Sequence, residues 1–192
     1  MLKITERVAT MAAILGGAAL LLVSLIVSVE VVLRKLAGVT LGGADEISGY
    51  VFAVTTSWAL SYTLFHRAHI RIDLVYNYLG ATWKAWLDLL SLLSLAFVAG
   101  LVAWYGYGVL ERTMALASKS NTSLATPLWI PQLFWVAGLV LFIWTLCLLV
   151  IVCARKLLAS DTRGVSRLAG IPSIDDDVQA ALDEAAAATR RS

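Results

Sequence analysis

The chain has 192 residues, 60% apolar and 15% charged, with mean hydropathy +0.83 and a formal net charge of +2. A soluble domain is roughly 45–50% apolar and about 25% charged, so this chain lacks the charge to cover a water-facing surface. High hydrophobicity excludes disorder, the small and clustered charge excludes a nucleic-acid footprint, and two cysteines make no disulfide framework. The composition specifies an all-α integral membrane protein.

Uncharged runs at Val8–Val29, Ile47–Phe65 and Leu89–Leu110 each supply one crossing, because about 20 apolar residues span roughly 30 Å of hydrocarbon. A fourth run, Ser120–Ala154, opens with the polar stretch SNTSLATP, so its helix is expected from Leu128. The predicted spans are about 8–33, 46–65, 85–110 and 128–154, within a membrane domain 1–156. Lys3 and Arg7 precede the first run, but it is too long for a signal-peptide core and no A-x-A-like site follows, so it is read as a retained helix.

Four crossings put both termini on one side. That side carries Lys3, Arg7, Arg67, Arg71, Lys84, Arg155, Lys156, Arg163 and Arg167; the other carries Arg34, Lys35, Arg112 and Lys119. The positive-inside rule therefore places the termini in the cytoplasm. Trp83, Trp86, Trp104, Tyr105, Tyr107 and Trp129 fall where aromatic belts form, whereas Trp58 and Trp144 lie mid-span and are expected to pack.

In the outer loop RKLAGVTLGGAD, Gly42–Gly43 breaks the chain before Asp45 and Glu46. Those acids complement the dipole at the start of the second helix. The inner connection His66–Lys84 mixes apolar and charged residues and predicts a short interfacial helix ended by Gly80. The tail 157–192 is the only soluble part. Its first cations sit against anionic headgroups, and Val178–Ala188 offers a short alanine-rich helix.

Glu30 is the one charge inside Val8–Leu33, and intramembrane carboxylates mark function by default. Its distance from Val8, about 33 Å along a helix, places it near the outer surface. Arg34 lies at the favoured i+4 spacing, so an interfacial ion pair is expected, with a proton site as the alternative. His66 and His69 are too close together at one membrane face to ligate haem from two helices, and nothing completes a metal site around them or Asp73. Cys147 and Cys153 read as small apolar packing residues. No nucleophile–base arrangement or phosphate loop is present, so no enzyme and no cofactor is expected. Ala12–Gly16, Ala13–Gly17 and Ala96–Gly100 allow close helix approach, and Ser57 and Ser61 share a face able to bond a neighbouring helix.

The segments VEVVLRKLAG, ADEISGYVF, HRAHIRIDLVYNYLG and TPLWIPQLFWVAGL, in that order and spacing, resemble the small permease subunit, Q, of tripartite ATP-independent periplasmic (TRAP) transporters over about residues 5–155. That resemblance implies a bacterial inner-membrane protein in a sodium-driven importer of organic anions. Its partners would be a large permease subunit, M, which carries substrate and sodium, a periplasmic substrate-binding protein, P, and membrane lipids. Arg34, Asp45, Glu46, His69, Arg71 and Asp73 occupy motif positions. Arg34 and Glu46 are expected to organise the outer surface, and His69, Arg71 and Asp73 to pin the interfacial helix. Two rival readings remain: an independent proton-coupled exporter using Glu30, and a membrane anchor of a redox complex.

Overall fold

A computed structural model describes residues 2–40, 42–66, 79–122, 124–159 and 182. These form helices α1 (Leu2–Ala37), α2 (Ala44–Phe65), α3 (Ala81–Ala115) and α4 (Trp129–Leu158). The helices run past the expected spans because nothing in the flanking polar turns breaks them: α1 continues through Arg34 and Lys35, and α4 through Arg155 and Lys156. Three of them, α1, α3 and α4, are long and apolar enough to cross a membrane. The protein is thus a multi-pass membrane protein. The 22-residue α2 is more polar, since Thr55, Thr56, Ser57, Ser61 and Thr63 lower its hydropathy. The expected interfacial helix lies outside the described residues over 67–78, with His69, Arg71 and Asp73, and so does nearly all of the tail. Gly80 precedes α3 and its carbonyl accepts a hydrogen bond from Lys84 N at 3.0 Å.

Contacts divide the chain into two compact units, Met1–His66 with Ser94–Leu148, and Arg67–Leu93 with Leu149–Ser192. In the first unit, α1 offers a narrow seam on which Thr5, Ala9, Val23 and Glu30 are buried. Such heptad-like spacing suits helices that cross at a shallow angle. Gly16 lies on this seam, where a Cβ would come within 2.5 Å of Thr55 Cγ2. The Ala12–Gly16 pair therefore serves packing within the chain. Gly17 and Gly100 have nothing within 4 Å of an added Cβ, so the other small-residue faces are open.

In the same unit α4 packs on α2 and α3. Gly138 admits Ser57 and Trp58 against its backbone, and Gly106 of α3 admits Trp135, whose ring would lie 2.9 Å from an added Cβ. Trp58 packs as expected and donates its indole N–H to the Phe134 carbonyl at 2.8 Å. Trp144 does not: it is 54% exposed. Ser57 and Ser61 are buried, but Ser57 bonds its own helix at the Val54 carbonyl and Ser61 Oγ has no hydrogen-bond partner among the described residues. Neither makes a bond across helices among the described residues; Ser57 faces Gly138, which has no side chain to accept one.

In the second unit Ala85, Asp88, Leu92, Leu149 and Cys153 are buried. Cys153 is packed as expected, while Cys147, in the first unit, is exposed. Asp88 is 2% exposed and engaged with its surroundings. Sequence inspection passed over this carboxylate because it only borders an uncharged run.

Candidate functional site at the loop end of the first unit

The α1–α2 and α3–α4 loops lie at one end of the first unit, and each is tied down by a carboxylate. Beyond Ala37 the chain reverses at Gly38, whose φ of +65° is open to glycine at little cost. Two residues later Thr40 has returned to the level of Glu30 and donates its hydroxyl to Glu30 Oε1 at 2.9 Å. Gly42 N–H donates to the same Thr40 oxygen at 3.2 Å, a two-residue turn made by a hydroxyl side chain. A directed chain therefore runs from the Gly42 amide through Thr40 to Glu30.

Glu30 is only 6% exposed, and its Oε2 has no hydrogen-bond partner among the described residues. Arg34 is exposed, and no ion pair joins it to Glu30. The expected i+4 pair is replaced because the returning loop covers Glu30 while the last turn of α1 projects beyond it. Gly16 touches Thr55, and from there to Glu30 is about 21 Å along α1, and to Ala44 about 16 Å along α2. Glu30 is thus level with the start of α2.

The α3–α4 loop is built as a small closed platform. Ala117, at φ +47°, ends α3 with Ser118 N bonded to the Thr113 carbonyl at 3.1 Å and Ala117 N to the Met114 carbonyl at 3.2 Å. This is the paired bonding of a Schellman cap, made with alanine where glycine is usual. Ser118–Leu128 and Ser120–Thr126 backbone bonds flank an antiparallel bridge between Lys119 and Pro127. Thr126 N–H donates to Ser120 Oγ at 3.1 Å, Ser120 Oγ lies 2.8 Å from Thr122 Oγ1, and Thr122 donates to Glu46 Oε2. Since the Thr122 proton is directed at Glu46, Ser120 is the donor in the middle link. Tyr50 fills the other carboxylate oxygen, donating to Glu46 Oε1 at 2.7 Å. Leu124 covers Gly43, where its side chain leaves no room for a Cβ.

The α3–α4 loop is therefore held by one apolar contact at Gly43, in the α1–α2 loop, and by one hydroxyl relay to Glu46, in α2. Glu46 thus holds both Tyr50 and Thr122. Asp45 is exposed in the first turn, where it complements the helix dipole, and its carbonyl accepts from Ser48 at 2.7 Å. Thr40, Tyr50, Ser120, Thr122 and Leu124 escaped the sequence reading. The Thr-x-Gly turn at Thr40 was a visible signal; the others depend on a long-range approach of loops. His66, at the other end of α2, stacks on Tyr62 at 4.0 Å, and its Nδ1 lies 3.0 Å from the Tyr62 carbonyl. Among the described residues no group of His, Cys, Asp and Glu is placed to hold a metal ion.

Long apolar helices with a built loop platform at one end define a multi-pass membrane protein. The family comparison is specific: the DctQ component of tripartite ATP-independent periplasmic transporters matches residues 23–157. The chain belongs to that family, and is a small permease component of a TRAP transporter. No curated protein matches it.

Proposed function

We propose that this subunit is the stationary companion of a large permease subunit in an importer of organic anions driven by a sodium gradient. The large subunit carries substrate and ions, and this chain widens its scaffold and helps dock a periplasmic substrate-binding protein. The membrane domain is 1–156, with α2 as a fourth crossing, both termini cytoplasmic, and the tail 157–192 in the cytoplasm. The hydroxyls of α2 are compatible with hydrocarbon because Thr56, Ser57 and Thr63 bond to the carbonyls of Phe52, Val54 and Leu60 on their own helix. The loop platform is then periplasmic. Arg34, Asp45 and Glu46 belong to that face, and His69, Arg71 and Asp73 to the cytoplasmic one.

The observation that carries the docking role is the union of the two loops through Glu46, Thr122 and the Leu124–Gly43 contact. A rigid surface loses less entropy on binding than two separate loops. The exposed apolar residues of α1, among them Leu21, Leu22 and Leu25, leave surface for lipid and for the large subunit. Purification through a tag on this chain, co-expressed with the large subunit, should give a stoichiometric complex whose reconstituted uptake also requires the binding protein. A stable preparation of this chain that transports alone would sink the proposal and favour the exporter reading.

A further inference from the structure

Glu30 and Glu46 are used in the same way. Each carboxylate ends a relay that begins at a backbone N–H of a loop and passes through threonine: Gly42, Thr40 and Glu30 in one, Thr126, Ser120, Thr122 and Glu46 in the other. The loops so held meet at Gly43 and Leu124. Glu30 anchors Thr40, three residues from that contact. Losing the anchor releases the seat on which Leu124 rests.

The relays also sort charge. Glu30 is buried and the half-exposed Glu46 is occupied as an acceptor, whereas Arg34, Lys35, Arg112 and Lys119 at this end are exposed and, among the described residues, in no ion pair. Asp45 and Glu111 are the exposed acids beside them. Among the exposed side chains at this end, four cations therefore stand against two acids. We propose that Glu30 is a positioning residue: through Thr40 it locks the two loops into one platform, and that platform receives an acidic face of a soluble partner. The idea rests on the docking role above. Lone cations opposite acidic groups speed encounter and make it sensitive to salt.

The test uses this chain in complex with its large subunit in nanodiscs, and the soluble binding protein of the same transporter as probe. Amide exchange is followed at residues 118–127, and association rates are measured at several salt concentrations. Thr40→Val and Glu30→Ala should each speed exchange at 118–127 by about tenfold or more, since local opening sets that rate, and should slow association. Glu30→Gln, which keeps an acceptor for Thr40, should behave as the native chain. Arg34→Gln with Lys119→Gln should leave exchange unchanged but lower the low-salt association rate about tenfold and flatten its salt dependence.

Native exchange at 118–127 in both Thr40→Val and Glu30→Ala overturns the lock. Equal damage from Glu30→Gln and Glu30→Ala overturns it as well, because the charge rather than the acceptor would then matter. An unchanged salt dependence in the Arg34 and Lys119 double variant overturns the acidic partner. Failure of the binding protein to associate with the native complex overturns the docking role itself, and is read separately from the exchange result.

Discussion

The most apolar stretches of helices α1 and α4 are similar in hydropathy and differ in burial. The most apolar stretch of α1 is 6% buried and that of α4 is 44% buried. In the first unit α4 buries Val136, Leu139, Phe142, Thr145 and Leu146, whereas α1 leaves Leu21, Leu22, Leu25 and Val29 exposed. In water such a helix would be driven inward. In lipid it is not, since acyl chains are as apolar as leucine and close packing, rather than hydrophobicity, holds helices together. The difference teaches that small residues and polar contacts mark the core of this subunit, and that leucine content does not.

The largest effect that sharpens this contrast is at Leu146. It is fully buried, and Leu146→Ala removes packing that nothing can replace, at a cost of about 2–5 kcal/mol. Leu25→Ala on α1, where the side chain is 68% exposed, should cost under about 0.5 kcal/mol in the isolated chain. Denaturation of both variants in mixed detergent micelles measures the difference. Equal losses would show that the isolated chain buries α1 as deeply as α4.

A second contrast lies within α1 itself. Gly16→Ala drives a methyl into Thr55 and should destabilise by about 1–3 kcal/mol. Gly17→Ala, one residue on, meets open space and gains helix propensity, so it should be neutral or stabilising by up to about 1 kcal/mol. The same micelle assay reads both. If Gly17→Ala is harmless to the isolated chain but reduces co-purification with the large subunit, the open face of α1 is the one that meets that partner.

These paired residues also show what was readable in the chain. Apolar runs without charges revealed the long helices, because hydrocarbon thickness imposes their length. Ala12–Gly16 was visible as a packing pair for the same reason that it works: no side chain intervenes. Glu30 could not be placed by local spacing. Its i+4 neighbour Arg34 competed with a threonine ten residues on, and only the reversal at Gly38 decides between them. Glu46 was legible as a helix-start acid, but its bond to Thr122 joins residues 76 positions apart. Trp144 was misread because position along a span gives depth and says nothing of direction.

The hydrogen bond from Trp58 to the Phe134 carbonyl offers a smaller perturbation of the core around α4. Trp58→Phe keeps an aromatic ring beside Gly138 and deletes the donor. Interhelical bonds in membrane proteins average about 0.6 kcal/mol, so a loss of that order is expected, below that of Leu146→Ala. A loss comparable to Leu146→Ala would mean that polar contacts, not close packing, fix α4 in place.

The smallest change acts where α3 hands over to α4. Ala117 holds φ at +47°, a conformation that costs a residue with a Cβ about 1 kcal/mol and glycine almost nothing. Ala117→Gly should therefore stabilise the chain by under about 0.5 kcal/mol, because the greater freedom of glycine in the unfolded state offsets most of the relieved strain. The substitution leaves both cap bonds, from Ser118 to Thr113 and from residue 117 to Met114, intact. It leaves the contacts of α1 intact as well, so the gain should appear in the unfolding of the chain and not in the exchange rates of α1. A destabilised variant would show that the alanine methyl makes a contact worth more than the backbone strain it imposes.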